Sequence, residues 1–476
     1  MNSLTEQIPK QPDKPNPDKE EYKYYGTLGA PDAHRAARET ANRNFIGGDS
    51  AWPEYQYPHI DPDELRENEI CHLAVLTQIE KEEALNGETT YTAGQYETTA
   101  RELAAYYRMK EALRTNASDR PSDKQLSRER AGQMSQELRG APDKEGFRSL
   151  LAEKLSIIVP ALDAEEPLKK QLASEYLDIL GMDRAAAEQF MAAARPLNEY
   201  VRARETDTLL REDLLMLFPG LGDAMEAFQS DEPLRAAEAE PVFFAALEGL
   251  GLTQKGWSPC LIKNATTKAY SSLKDKVVGW GEYREDFDRW KRIETPVHEA
   301  FHSLRSQNGS EQDDIRCRQP TADSRPFEEG LVDAFAQLVS GRRPVIGKNH
   351  YVNQGLLYGL DTRESSDNLV RTARDIFELE WRQLVLGADD FSDSTIAAKK
   401  RTAQKDMYRA IRGGPDASDL SYFDGCRLVN PWLNELAEQP QEVRLAVLRW
   451  VLSGVFDPTN PRDEALYGGN PIHKFS

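Results

Sequence analysis

Residues 295–309, TPVHEAFHSLRSQNG, and residues 326–338, PFEEGLVDAFAQL, decide how this chain is read. Both have helical patterning with sharp ends. The first should begin at Thr295-Pro296, a cap residue followed by a first-turn proline, and end at Asn308-Gly309. The second should start near Pro326 and stop at Gly341. Within the first lie His298 and His302, four residues apart. At 100° per residue their imidazoles stand about 40° from each other and one turn apart. Both can therefore reach one metal ion at roughly 2.0–2.1 Å. Val297, Phe301 and Leu304 make an apolar stripe on a different face, which packs the helix down and leaves the histidines to the site. The competing reading is two surface histidines on an amphipathic helix.

The second helix weighs against that competitor by supplying a third donor. Glu329 and Asp333 share one face, while Phe327, Leu331, Ala334 and Leu338 share the other as core. A catalytic zinc site takes three protein ligands and leaves one position open, so His298, His302 and Glu329 predict one zinc ion per chain. Asp333 is expected to accept a hydrogen bond from the far ring nitrogen of a liganding histidine and fix its tautomer. Glu328 reads as a solvated neighbour. Gly330 weakens its helix by roughly 1 kcal/mol relative to alanine, which implies a close packing contact there. Glu299 follows the first ligand without binding metal. Its expected role is to take the proton from an attacking water acidified by the ion and to pass it to the departing amine.

Outward from these helices the signals thin. AYSSLKDKVVGWG, residues 269–281, reads as two short strands around a Leu-Lys-Asp-Lys turn, and an exposed strand edge there can hold a peptide extended beside the metal. From about Pro62 to Arg235 the apolar spacing predicts helix after helix, with breaks at Gly140-Ala141-Pro142, Gly181 and Gly220. Further helices complete the chain. The expected organisation is a disordered tail over 1–20, a helical region over 21–252 that wraps the core, and a catalytic region over 253–476.

Composition narrows the class further. The chain has 476 residues, and 80 acidic against 60 basic side chains give a net charge of −20, which repels a phosphate backbone and argues against nucleic acid as a partner. No 18-residue apolar stretch is present, so no membrane association is expected, and the amino terminus has no apolar run of the kind an export signal needs. Cys71, Cys260, Cys317 and Cys426 show no paired spacing and read as free thiols. Cytoplasmic residence is the expectation, with a peptide or protein as substrate. Oligomeric state is not readable.

HEAFHSLRSQNG followed by FEEGLVDAFAQL resembles the signature of the microtubule-associated tyrosine carboxypeptidases and their bacterial relatives with an EGLA motif. Leu304, Arg305, Asn308 and Gly309 match its first part, and Glu328 to Leu331 its second. YGTLG, YQYPHIDPDEL and AIRGGPDASDLSYFDGC are similar to flanking stretches of the family. The chain departs from it in placing two residues between Glu299 and His302 where the family has three, and Val332 where the motif has alanine. The resemblance implies a mainly α fold with a small α+β catalytic core, gluzincin-like, and an enzyme that trims carboxy-terminal residues. It also implies that Arg412 and Tyr422 line the site. Either could stabilise the oxyanion formed at the carbonyl, and the arginine could equally clasp a terminal carboxylate. Arg305 either reaches the cleft or pairs with an acid, and His350 and Tyr351 are further candidates for oxyanion support. Two alternatives remain open: an endopeptidase or other amide hydrolase with the same zinc site, and a zinc-binding regulatory protein without turnover.

Overall fold

The computed structural model describes residues 144–472, apart from 264–268, 274, 283–285, 313–323, 343–351, 354, 357–372, 389, 413–419, 461–463 and 465–468. The expected tail, and the helical stretches before residue 144, lie outside these residues. The described chain is mainly helical. Helix α1 (Lys144–Ala161) buries Phe147, Leu150, Leu151, Leu155 and Ile158, spaced three and four apart. Helix α2 (Pro167–Leu180) has proline in its first turn and stops at Gly181, whose φ of 69° is the left-handed cap that glycine adopts without a Cβ clash. Asp183 caps α3 (Arg184–Ala193) by accepting from the Ala186 amide. Next come α4 (Arg204–Leu217), α5 (Pro219–Glu226), with Gly220 in its first turn, and α6 (Glu240–Gly249).

The expected strand pair forms as β2 (Tyr270–Ser272) and β3 (Val277–Gly281), but they are not alone. A strand that the sequence reading missed, β1 (Ser258–Ile262), lies parallel to β3, so β3 is the middle of a three-stranded sheet with order β1-β3-β2. Pro259 cannot donate to a ladder and sits on this edge strand, which is where the sheet tolerates it. Gly279 is needed for close approach, since a Cβ there would meet the Tyr270 ring at 2.4 Å. Trp280 is fully buried, stacked on Phe243 with ring centroids 4.1 Å apart, and its Nε1 donates to the Ala236 carbonyl at 2.8 Å.

Further helices follow among the described residues. Helix α7 (Lys291–Ser310) starts a turn earlier than Thr295-Pro296 would have it. Asp288 makes the start, accepting from the Trp290 and Lys291 amides at 3.0 and 2.8 Å, and Pro296 lies inside the helix. Helix α8 (Arg325–Ser340) begins and ends as read, with Gly341 at φ 72°. Then come α9 (Ala373–Leu386), α10 (Asp393–Arg412), α11 (Leu420–Ala437) and α12 (Gln441–Val451).

Two apolar cores result among the described residues. The larger gathers α4 to α8, the sheet, the later part of α11, and α12. The smaller gathers α1 to α3 with α9, α10 and Phe423 of α11, so each core draws on both sides of residue 252. Phe301, Phe327, Leu331 and Phe335 are fully buried between α7, α8 and their neighbours, each contributing roughly 1.5–3 kcal/mol by leaving water. The smaller core also encloses a charge. Lys154 is buried, donates to Gln383 Oε1 at 2.8 Å and lies 3.9 Å from Glu380 Oε2. Among the described residues no helix is long and apolar enough to cross a membrane.

Candidate metal centre

The site forms where α7 crosses α8. Phe301 packs on Phe335 with centroids 5.0 Å apart and edge-on to Phe218, which fixes the rotation of α7 and turns His298 and His302 toward α8. Their Nε2 atoms face each other at 3.1 Å. Glu329 Oε2 completes a triangle, 3.3 Å from His302 Nε2 and 3.6 Å from His298 Nε2. That oxygen is buried and makes no hydrogen bond.

The outward ring nitrogens are held as firmly. His298 Nδ1 donates to Asp333 Oδ1 at 2.9 Å, and His302 Nδ1 donates to Glu328 Oε1 at 2.7 Å. A carboxylate can only accept, so each Nδ1 carries the proton and each neutral ring turns its lone pair inward from Nε2. Two lone pairs and a carboxylate oxygen then converge on one point, which a cation can occupy. Bonds of roughly 2.0–2.1 Å at tetrahedral angles place neighbouring donors roughly 3.3–3.4 Å apart, and the three separations here bracket that value. The donor set therefore fits a cation of zinc's size and preference. His298, His302 and Glu329 are the group among the described residues that could hold a metal ion.

Without an ion, protons take its place. Burial opposes charge on both histidines, but Asp333 and Glu329 overcome it at His298 and lift its pKa to about 9. His302 is raised well above the ordinary range, the charges of Glu329 and Glu328 again outweighing burial. Burial would raise Glu329, yet the two adjacent imidazoles hold it well below the usual carboxylate range.

Glu328 corrects the sequence reading. It is buried rather than solvated, and its second oxygen is bonded by the Nη1 of Arg305, which is itself fully buried. Arg305 therefore pairs with an acid and turns inward. Its position beside Leu304 on the packed side of α7 was the available signal, because a buried guanidinium requires a carboxylate within reach.

Gly330 makes the contact inferred for it. A Cβ there would lie 2.3 Å from the backbone of Gly425, and one on Gly425 would lie 2.0 Å from the Pro326 carbonyl oxygen. This glycine-to-glycine crossing draws α11 against α8. Tyr422 is one turn before Gly425, so the crossing carries its ring to His298, with centroids 6.5 Å apart and planes 20° apart. Glu299 is buried beside the first ligand, and its carbonyl accepts from Ser303 Oγ at 2.8 Å. Asp424, half-buried and close to Tyr422 in sequence, has its carboxyl pushed up to about 7 by desolvation. Arg412 is the last residue of α10, and its side chain lies outside the described residues, as do His350 and Tyr351.

Comparisons with protein-family models, with curated proteins and with solved structures find no match to this chain.

Proposed function

We propose that this chain is a zinc-dependent peptidase with a gluzincin-like catalytic core, acting on peptide or protein substrates in the cytoplasm. The observation that carries the reading is the triangle of His298 Nε2, His302 Nε2 and Glu329 Oε2, with each histidine locked from behind by a carboxylate. Structural zinc sites favour four ligands rich in cysteine, and a three-donor set of two histidines and one glutamate belongs with catalysis. A zinc ion held there supplies Lewis-acid polarisation of a carbonyl and lowers the pKa of water.

The remaining work falls to side chains of this chain. Glu299, next to His298 and outside the donor triangle, takes the proton from the attacking water and delivers it to the leaving amine. Tyr422 lies against His298 and has a hydroxyl to offer the developing oxyanion. Asp333 and Glu328 keep both imidazoles in the tautomer that presents Nε2.

Glu299→Gln preserves size and hydrogen bonding but cannot accept that proton. The variant should hold zinc and substrate as the parent does and lose at least about 10²-fold in turnover of a peptide library. Near-normal turnover would remove Glu299 from the mechanism, and a parent chain that binds zinc but turns over no peptide would favour a zinc-binding regulatory protein.

Carboxypeptidase action is preferred to endopeptidase action on the resemblance of residues 298–331 and 412–425, with Arg412 as the clasp for a terminal carboxylate. A charge-assisted, bidentate contact of roughly 2 kcal/mol corresponds to about 30-fold. Peptides with a free carboxy terminus should be cleaved faster than amidated twins by about that factor, and equal rates would leave an endopeptidase with the same zinc chemistry.

A further inference from the structure

The geometry points to Arg305 and Glu328 as a positioning pair for His302, through which the segment Val451–Phe456 sets the orientation of that ligand. This inference rests on the proposed metal centre and extends it to residues remote from the zinc.

His302 Nδ1 donates to Glu328 Oε1 at 2.7 Å, and Glu328 Oε2 is bonded by Arg305 Nη1. The rest of the guanidinium is consumed by backbone. Nε donates to the carbonyls of Val451 and Gly454, both at 2.9 Å, and Nη2 to that of Phe456 at 3.0 Å. Asn308, one turn further along α7, donates to the Leu452 carbonyl at 2.7 Å, and Gln312 to that of Ser453 at 3.3 Å. Carbonyls at the end of α12 and in the turn after it thus face a row of donors on α7 and just past its end, with Arg305 the first of them. A planar fork bonded to three carbonyls has one orientation open to it, and that orientation aims Nη1 at a fixed point. Glu328 is held to that point, and His302 is held to Glu328.

The arrangement differs in kind from a carboxylate resting on a histidine. Glu328 and Glu329 are successive residues, so 100° separates them on α8, yet both carboxylates enter the site. Without Arg305, a buried Glu328 would be a second acid beside Glu329 with no cation against it, and the side chain would turn to solvent. Arg305 keeps it buried and aimed. Partners of this kind typically change metal affinity by about 10–100-fold when removed.

The test measures zinc affinity by competition with a chromogenic chelator, the absorption bands of the cobalt-substituted protein, and the melting temperature of metal-free protein. Glu328→Gln keeps an acceptor for the imidazole and should weaken zinc about 10-fold, with shifted cobalt bands, whereas Glu328→Met keeps none and should approach 100-fold. Arg305→Lys retains the charge, loses the fork, and should weaken zinc by about 10-fold as well. Asp213→Asn is the control, because Asp213 is bonded by buried Arg444 at 2.5 Å in a pair of similar burial. It should lower the melting temperature with zinc affinity within about twofold of the parent. Folded Glu328→Gln or Arg305→Lys protein with parental zinc affinity and cobalt bands would overturn the inference. So would equal weakening by Asp213→Asn, which would mark a general effect of stability. If the parent chain binds no zinc, the metal centre itself falls and this inference with it.

Discussion

Glu380 in the smaller core and Glu329 at the metal centre are both buried, and each keeps one oxygen free of hydrogen bonds. What faces them differs. Near Glu380 stands the ammonium of Lys154, 3.9 Å from its other oxygen and anchored by Gln383. The cation is built into the chain, so that cluster closes its own charge. Facing Glu329 are two imidazole nitrogens whose opposite sides are already taken by Asp333 and Glu328. There the donors converge and the cation must come from outside. A buried acid with a resident cation is a structural device, and one among convergent lone pairs is a binding site.

The sharpest break in this comparison comes from removing each acid in turn. Glu380→Gln takes from Lys154 the carboxylate 3.9 Å from its ammonium. It should destabilise the protein by roughly 3 kcal/mol in denaturant titration, while zinc stays near one per chain. Glu329→Gln should differ in its effect on the metal: zinc falls to a small fraction of one per chain by elemental analysis. Equal loss of zinc in the two variants would end the distinction.

The parts of the site set by local spacing were legible in the sequence. His298 and His302, like Glu329 and Asp333, are separated by one helical turn, and a turn is enough to put two side chains on one face. Glu328 was not legible in this way. Its burial depends on Arg305, 23 residues earlier, which depends in turn on carbonyls beyond α12. The start of α7 was misread for a related reason: Thr295 is a good cap by type, but the amides of the first turn are reached by Asp288. Strand β1 escaped because Ser258–Ile262 is short, holds a proline and has no alternation to mark it. Tyr422 could be brought to the site only by resemblance, since its placement follows from a contact between Gly330 and Gly425 that no local pattern announces.

That glycine contact gives a smaller test of the same contrast. Gly425→Ala would put a methyl group 2.0 Å from the Pro326 carbonyl oxygen, so α11 must move away from α8. Overpacking of this kind costs about 1–3 kcal/mol. The displacement bears on Tyr422, Glu329 and His298, while Lys154 and Glu380 sit on other helices. Turnover should therefore fall by more than the loss of stability accounts for at a temperature where the variant is fully folded. A variant with parental turnover would show that the crossing does not position Tyr422 for chemistry.

The smallest effect expected is a difference in pH dependence between metal-free and zinc-loaded protein. In the metal-free chain the His298 pKa is about 9 against an ordinary 6.5, so the folded state holds its proton more tightly than the unfolded state does. That stabilisation is complete below about 6.5 and is lost as the pH rises through about 9. Asp424, raised to about 7, changes its contribution only below that pH and leaves the interval from 7.5 to 9 to the histidines. Lys154 works in the opposite sense: burial depresses its ammonium against the pull of Glu380, so deprotonation at high pH relieves a cost. With zinc bound, the imidazole protons are displaced, and less competition from protons tightens binding as the pH rises. Stabilisation by the ion grows with that affinity. Melting temperatures measured between pH 7.5 and 9 should therefore fall in chelator and hold or rise in zinc, so that the gap widens with pH. His302→Gln should flatten the zinc arm, and Lys154→Met should leave the gap between the arms unchanged. A gap that stays constant in the parent would mean that protons and metal do not compete for the same nitrogens, and the convergent triangle would lose its meaning as a cation site.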